Sequence, residues 1–132
     1  MKATVAVFVL LAAFAYAGKI NYAQRYLEQI ETVRKECFDQ ENVHHKHLHS
    51  LDDSDKIPPF EDLRCHTLCT VIKFQLIDNE LQFLPGAYKN LFDDMEHWGK
   101  VQKALYKCLP NDMKLRTCEN AYDLQLCIYK NI

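Results

Sequence analysis

Six cysteines, at positions 37, 65, 69, 108, 118 and 127 of 132 residues, constrain this chain more than any other feature. Thiols stay reduced inside most cells and pair in exported proteins, so their meaning depends on the compartment. The N-terminus reads as a secretory signal. Lys2 supplies a basic start, "TVAVFVLLAAFAYA" is an unbroken apolar run, and Ala15-Tyr16-Ala17 is a small-residue cleavage pattern. Residues 1–17 are therefore expected to be a signal peptide and residues 18–132 the mature extracellular domain. The apolar run covers about 15 residues, short of the roughly 20 that span a bilayer, and no later segment approaches that length. No membrane insertion is expected.

The mature part has the length of one domain, with a core modest enough that covalent staples would help it. Over the whole chain 16 basic and 18 acidic side chains are interspersed rather than blocked, for a formal charge of −2. No basic stripe tracks a phosphate backbone, so nucleic acid is excluded as a partner.

With three glycines and four prolines in the whole chain, and apolar residues at three- and four-residue spacings, the domain reads as all-α. Tyr22, Tyr26, Ile30, Val33 and Cys37 form the apolar stripe of a first helix, with Gln24, Glu28, Glu31, Arg34 and Lys35 on its polar side. Val43, His47, Leu48 and Leu51 give a shorter second helix. Pro58 and Pro59 suit the opening of a third, whose later half, "LCTVIKFQLI", is apolar nearly all round and is expected at the centre of the molecule. Tyr88, Leu91, Phe92 and Met95 mark a fourth helix ended by Gly99. Val101, Ala104, Leu105 and Cys108 mark a fifth, stopped by Pro110, and about 115–130 a sixth, with Ala121, Tyr122, Leu124 and Ile128 inward.

The stretch "RCHTLC" at 64–69 is compatible with a zinc half-site, a redox couple or two halves of different disulfides. An even cysteine count in an exported chain favours bridges. On a helix, Cys65 and Cys69 have Cβ atoms roughly 5–6 Å apart, too far for a disulfide. Cys118 and Cys127 project from opposite faces of the sixth helix and are excluded as a pair too. The two exclusions leave most of the 15 connectivities of six cysteines open. His66 lies about 100° around the helix from the cysteine face and is expected at the surface or boundary.

The gaps of 27, 3, 38, 9 and 8 residues between successive cysteines, together with "CENAYDLQLCIY" near the C-terminus, resemble the six-cysteine pattern of the insect odorant-binding and pheromone-binding protein family. The resemblance covers the whole mature chain. It implies a compact six-helix domain around a hydrophobic cavity, cross-linked by three interlocked disulfides: Cys37–Cys69, Cys65–Cys118 and Cys108–Cys127. It implies cavity-lining positions at Tyr26, Ile30, Val33, Val71, Val101, Leu105, Leu124 and Ile128. Helical phase adds Tyr88, Leu91, Met95, Trp98 and Tyr122 to the expected ligand-binding set. Tyr26, Tyr88, Tyr122 and Tyr129 are placed to offer one hydrogen bond to an alcohol, aldehyde or ester.

The function implied is a secreted carrier of small hydrophobic volatile ligands through aqueous lymph to olfactory receptors, acting as a monomer or weak homodimer. The alternatives are a non-olfactory carrier in haemolymph, gland secretion or seminal fluid, and a secreted protein that acts through its surface. No cofactor and no catalytic residue is expected: the sequence has no G-x-S-x-G elbow, no H-E-x-x-H and no phosphate-binding glycine loop. The run "VHHKHLHS" holds His44, His45, His47 and His49. It reads first as solvated surface, then as a pH-sensitive element, and last as a metal site through His45 and His49; no metal is assigned. Five residues follow Cys127, too few for a further helix, so an acid-driven insertion of the tail into the cavity is not expected.

Overall fold

Three helices of this chain end where the backbone turns to positive φ, and two others start on a side-chain cap. The computed structural model describes residues 19–53, 55–109 and 114–132. The expected signal peptide at 1–17 and the expected helix stop at Pro110 lie outside the described residues.

A single 3-10 turn at Gln24–Tyr26 leads into α1 (Leu27–Gln40). Asn42 ends it: with φ of 56° it occupies the left-handed region that asparagine tolerates. The Val43 amide donates to the Phe38 carbonyl (2.7 Å) and the Asn42 amide to that of Asp39 (3.3 Å). These are the two bonds of a Schellman closure, and Val43 and Phe38 share one buried cluster, the apolar contact that commonly accompanies that motif. The expected second α-helix is instead a 3-10 segment, His45–Ser50, started by His44, whose Nδ1 accepts from the Lys46 amide (2.9 Å).

The expected third helix is two pieces, α2 (Phe60–Leu63) and α3 (His66–Lys73). They part at Arg64, whose φ of 52° and ψ of −123° leave the helical path. A second Schellman closure ends α3, with Gln75 left-handed at φ 56°. Here the Leu76 amide donates to Val71 and the Gln75 amide to Ile72, both at 3.0 Å. The expectation of a centrally buried third helix is corrected accordingly. Ile72 is 52% exposed, and Leu76 reaches the core only because the chain has turned.

Gly99 does not end a helix. After the short α4 (Pro85–Lys89), Asp94 starts α5 (Met95–Cys108), its Oδ1 accepting from the Glu96 amide (3.0 Å) and the His97 amide (3.2 Å). A capping aspartate and a glycine inside a helix have comparable and opposite worth, about 1 kcal/mol each. Trp98, Val101, Ala104 and Leu105 then form one buried stripe that continues the helix through the glycine. Thr117 caps α6 (Cys118–Lys130) through its Oγ1, which accepts from Asn120 (3.0 Å).

α6 packs against both α5 and α3, and α3 against α1. Three disulfides fix that order: Cys37–Cys69 joins the end of α1 to α3, Cys65–Cys118 joins the starts of α3 and α6, and Cys108–Cys127 joins α5 to α6. The pairing is the one the resemblance implies. The fold is all-α, and among the described residues sheet pairing is confined to isolated bridges such as Ile77 with Phe83. The N-terminal segment meets the turn between α4 and α5 and the first turn of α5, with the Ala23 amide donating to the Leu91 carbonyl (2.8 Å) and the Asn21 amide to His97 Nε2 (2.9 Å).

Candidate ligand-binding site

Between α3 and α6 the fold leaves a cavity of about 80 Å³. α6 supplies Ala121, Leu124, Gln125, Ile128 and Tyr129, one helical stripe. α3 supplies His66, Thr67, Thr70 and Val71, and the turn after it Leu76 and Phe83. Tyr22, Arg34, Tyr88 and Leu115 close the remainder. The Cys65–Cys118 bridge holds the two principal walls at a Cα–Cα distance of 4.8 Å just outside the cavity. Aromatic side chains back it: Tyr88 meets Phe83, Phe92 and Trp98 edge-on at centroid distances of 5.8, 5.2 and 6.0 Å.

One end is polar. Arg34, 8% exposed, donates from Nη1 and Nη2 to both carboxylate oxygens of Asp52, at 2.8 and 2.7 Å. Burial opposes the guanidinium's charge, but the hydrogen bonds and charge of Asp52 outweigh it, so Arg34 is raised and stays a cation. Tyr129 donates its hydroxyl to Asp52 Oδ1 (3.3 Å), and Gln125 Nε2 donates to Tyr129 (3.3 Å). Thr67 donates to Gln125 Oε1 (2.6 Å), and the Tyr22 and Tyr88 hydroxyls share a hydrogen bond at 3.2 Å. Burial, reinforced by neighbouring negative groups, raises all three tyrosines, which remain neutral phenols. His66 is 2% exposed and stacks on Phe38 at 4.3 Å. Its Nδ1 is sealed from solvent with no hydrogen-bond partner among the described residues. Burial, aided by Arg34, holds its pKa down to about 3, so the ring is neutral at physiological pH.

The profile of the PBP/GOBP family matches residues 20–131. The chain belongs to that family. PBP/GOBP proteins are the odorant- and pheromone-binding proteins of insects, small binding proteins rather than enzymes. Among curated proteins none matches this chain.

Of the positions expected from sequence in this PBP/GOBP chain, Val71, Tyr88, Leu124 and Ile128 border the cavity. Trp98, Val101 and Leu105 are buried in the core that surrounds it, with Leu91 packed against that core. Ile30 is buried and Val33 half-buried on α1, Tyr26 is half-buried in the 3-10 turn before it, and none of the three borders the cavity. Tyr122 sits in a second cluster with Phe38, Val43, Leu51 and Leu63, and its hydroxyl donates to the Pro58 carbonyl (2.7 Å). Met95, in the first turn of α5, is 50% exposed.

Period alone missed the polar end. Arg34, assigned to the outer face of α1, is buried, and the signal was its spacing of four from both Ile30 and Phe38. His66, expected at the surface, is one of the most buried side chains, because Cys65 precedes α3 instead of standing on it. The phase drawn from that cysteine was wrong, while His66 shares a face with Thr70 one turn on. In the histidine run, His45 Nε2 pairs with Asp39 Oδ1 at 2.8 Å. Among the described residues no three His, Cys, Asp or Glu side chains converge as metal ligands, and no helix is long and apolar enough to cross a membrane.

Proposed function

We propose that this protein is a secreted carrier that takes a small, hydrophobic, volatile ligand into the cavity between α3 and α6 and moves it through aqueous lymph to olfactory receptors. The observation that carries the reading is the cavity itself: an apolar stripe on α6 and the α3 turn face it, in a chain matched nearly end to end by a family of ligand carriers. Three disulfides support export, as does the expected signal at residues 1–17. Val71, Tyr88, Leu124 and Ile128 are the proposed apolar contacts.

The volume limits the ligand. Pockets for drug-sized molecules are typically about 300–1,000 Å³. At about 80 Å³ the cavity admits a short molecule directly. A longer one has to displace lining side chains.

Displacement of a fluorescent apolar probe from the oxidised protein at neutral pH tests the reading. Saturable micromolar competition by short volatile alcohols, aldehydes or esters, weakening with chain length, is expected. A folded, fully bridged protein that binds neither probe nor competitors has a solid interior and is not a carrier.

A further inference from the structure

α5 has an outer face that the fold of the chain leaves uncovered. Trp98, Val101, Ala104 and Leu105 are its buried stripe, whereas Met95 and Tyr106 are 50% and 55% exposed. At about 100° per residue, Met95, Gly99, Gln102 and Tyr106 fall on one narrow outer stripe, and Glu96, Lys103 and Lys107 all flank it on the same side. Among the described residues these three charged side chains enter no ion pair. Gly99 costs the helix stability, yet a Cβ built there would meet nothing, so packing within the chain does not require glycine.

We propose that this face pairs with the same face of a second copy of the chain, α5 against α5, antiparallel about a two-fold axis between Lys100 and Val101. The order of residues along α5 and its charge pattern point to a second copy. Met95 and Tyr106 are equidistant from that point, Gly99 and Gln102 are equidistant from it, and so are Glu96 and the Lys103–Lys107 pair. A two-fold axis there sets Met95 on Tyr106 of the partner subunit and Gln102 over Gly99 of the partner subunit, where the missing side chain lets the backbones approach. An antiparallel pair keeps each flank on its own side. Glu96 therefore meets Lys103 and Lys107 of the partner subunit, and the same contacts recur across the axis. A parallel pair puts identical residues at equal heights and loses that match. One helix pair covers less than the roughly 1,200 Å² at which stable complexes begin, so the dimer is weak, forming on the order of 0.1 mM.

Sedimentation equilibrium of the oxidised protein from about 0.01 to 1 mM tests this, and wild type should show a reversible monomer–dimer equilibrium. Glu96→Lys, and separately Lys103→Glu with Lys107→Glu, set like charges against each other and should each weaken association about tenfold or more. All three substitutions together bring opposite signs back into contact and should restore the dimer. Gly99→Gln should raise the urea midpoint, since a helix interior favours glutamine over glycine, and yet lose the dimer. A wild type that stays monomeric to about 1 mM overturns the proposal and leaves this face to a lipid surface or another protein. A dimer that survives the charge reversals and Gly99→Gln forms through another surface, which overturns it too. So does a folded triple variant that stays monomeric.

Should a variant not fold, wild type alone decides the matter by NMR. On dilution through the transition, amide resonances of residues 95–107 should move and those of the cavity walls on α3 and α6 should not. Movement confined to other elements overturns the proposal.

Discussion

Removing one member of the Arg34–Asp52 pair should cost unequal amounts depending on which member is removed. The pair is short and bidentate, at 2.7 and 2.8 Å, but its environments differ: the arginine side chain is 10% exposed and the aspartate side chain 37%. Breaking a fully buried pair costs about 3–5 kcal/mol. Asp52 is screened by solvent, so that figure is discounted here. Asp52→Asn leaves a guanidinium that can neither lose its proton nor reach water, and should cost about 2–4 kcal/mol. Arg34→Met leaves a carboxylate that already borders an outer groove beside Lys19 and Lys56 and can rehydrate there, for about 1–2 kcal/mol. At about 4 °C per kcal/mol for a domain of this size, the two variants should lose roughly 8–16 °C and 4–8 °C of Tm. The double variant should cost less than the sum, since neither charge is stranded. Urea unfolding at pH 7 with the disulfides intact measures all three. An Asp52→Asn protein within 1 kcal/mol of wild type, or an Arg34→Met protein that is the weaker of the two, refutes the reasoning.

Acid should destabilise the protein through His66. Its pKa is near 6.5 when unfolded and about 3 when folded, so between those values the unfolded chain binds more protons. Stability is full above about pH 6.5 and falls by up to about 1.4 kcal/mol per unit as the pH drops toward 3. Urea midpoints over that range should decline more gently for His66→Leu than for wild type, and parallel declines count against the assignment. Gln75 holds a left-handed conformation without the freedom of glycine, so Gln75→Gly should raise stability by about 0.5–1 kcal/mol, read as a higher urea midpoint. A lower midpoint means that the Gln75 side chain matters more than its backbone. The bridges close separations of 53, 32 and 19 residues. Loop closure then ranks Cys65–Cys118 as the costliest to replace by alanines, at about 4 kcal/mol, and Cys108–Cys127 the least, at about 3 kcal/mol. Thermal melts that reverse that order contradict the ranking.

The cavity was legible from sequence on α6 and much less so on α3. Leu124 and Ile128, implied by the family resemblance, lie four apart on one uninterrupted helix and so share the face that borders the cavity. Counting on α3 started from Cys65, which stands before the helix, and ran on past Gln75, where the chain reverses. The break before α3 resets the phase, so His66, expected at the surface or boundary, is buried, while Ile72, on the run expected at the centre because it is apolar nearly all round, is exposed. Met95 and Tyr122 were in register with apolar neighbours on their helices, but register does not say which of two faces, or which of two clusters, a side chain joins.

The amino-acid sequence by itself determined the helical class, through apolar spacing with few breakers, and the family, through the cysteine gaps. Both are properties of residues close together or of fixed separation along the chain. Tertiary structure decided the polar end of the cavity. Arg34 is charged and reads as surface until Asp52, 18 residues away, is brought against it. His66 is unremarkable until Phe38 and α6 close over it and leave one nitrogen without a partner. Burial of a charge or a polar atom depends on which distant group arrives to meet it, and no local pattern encodes that meeting.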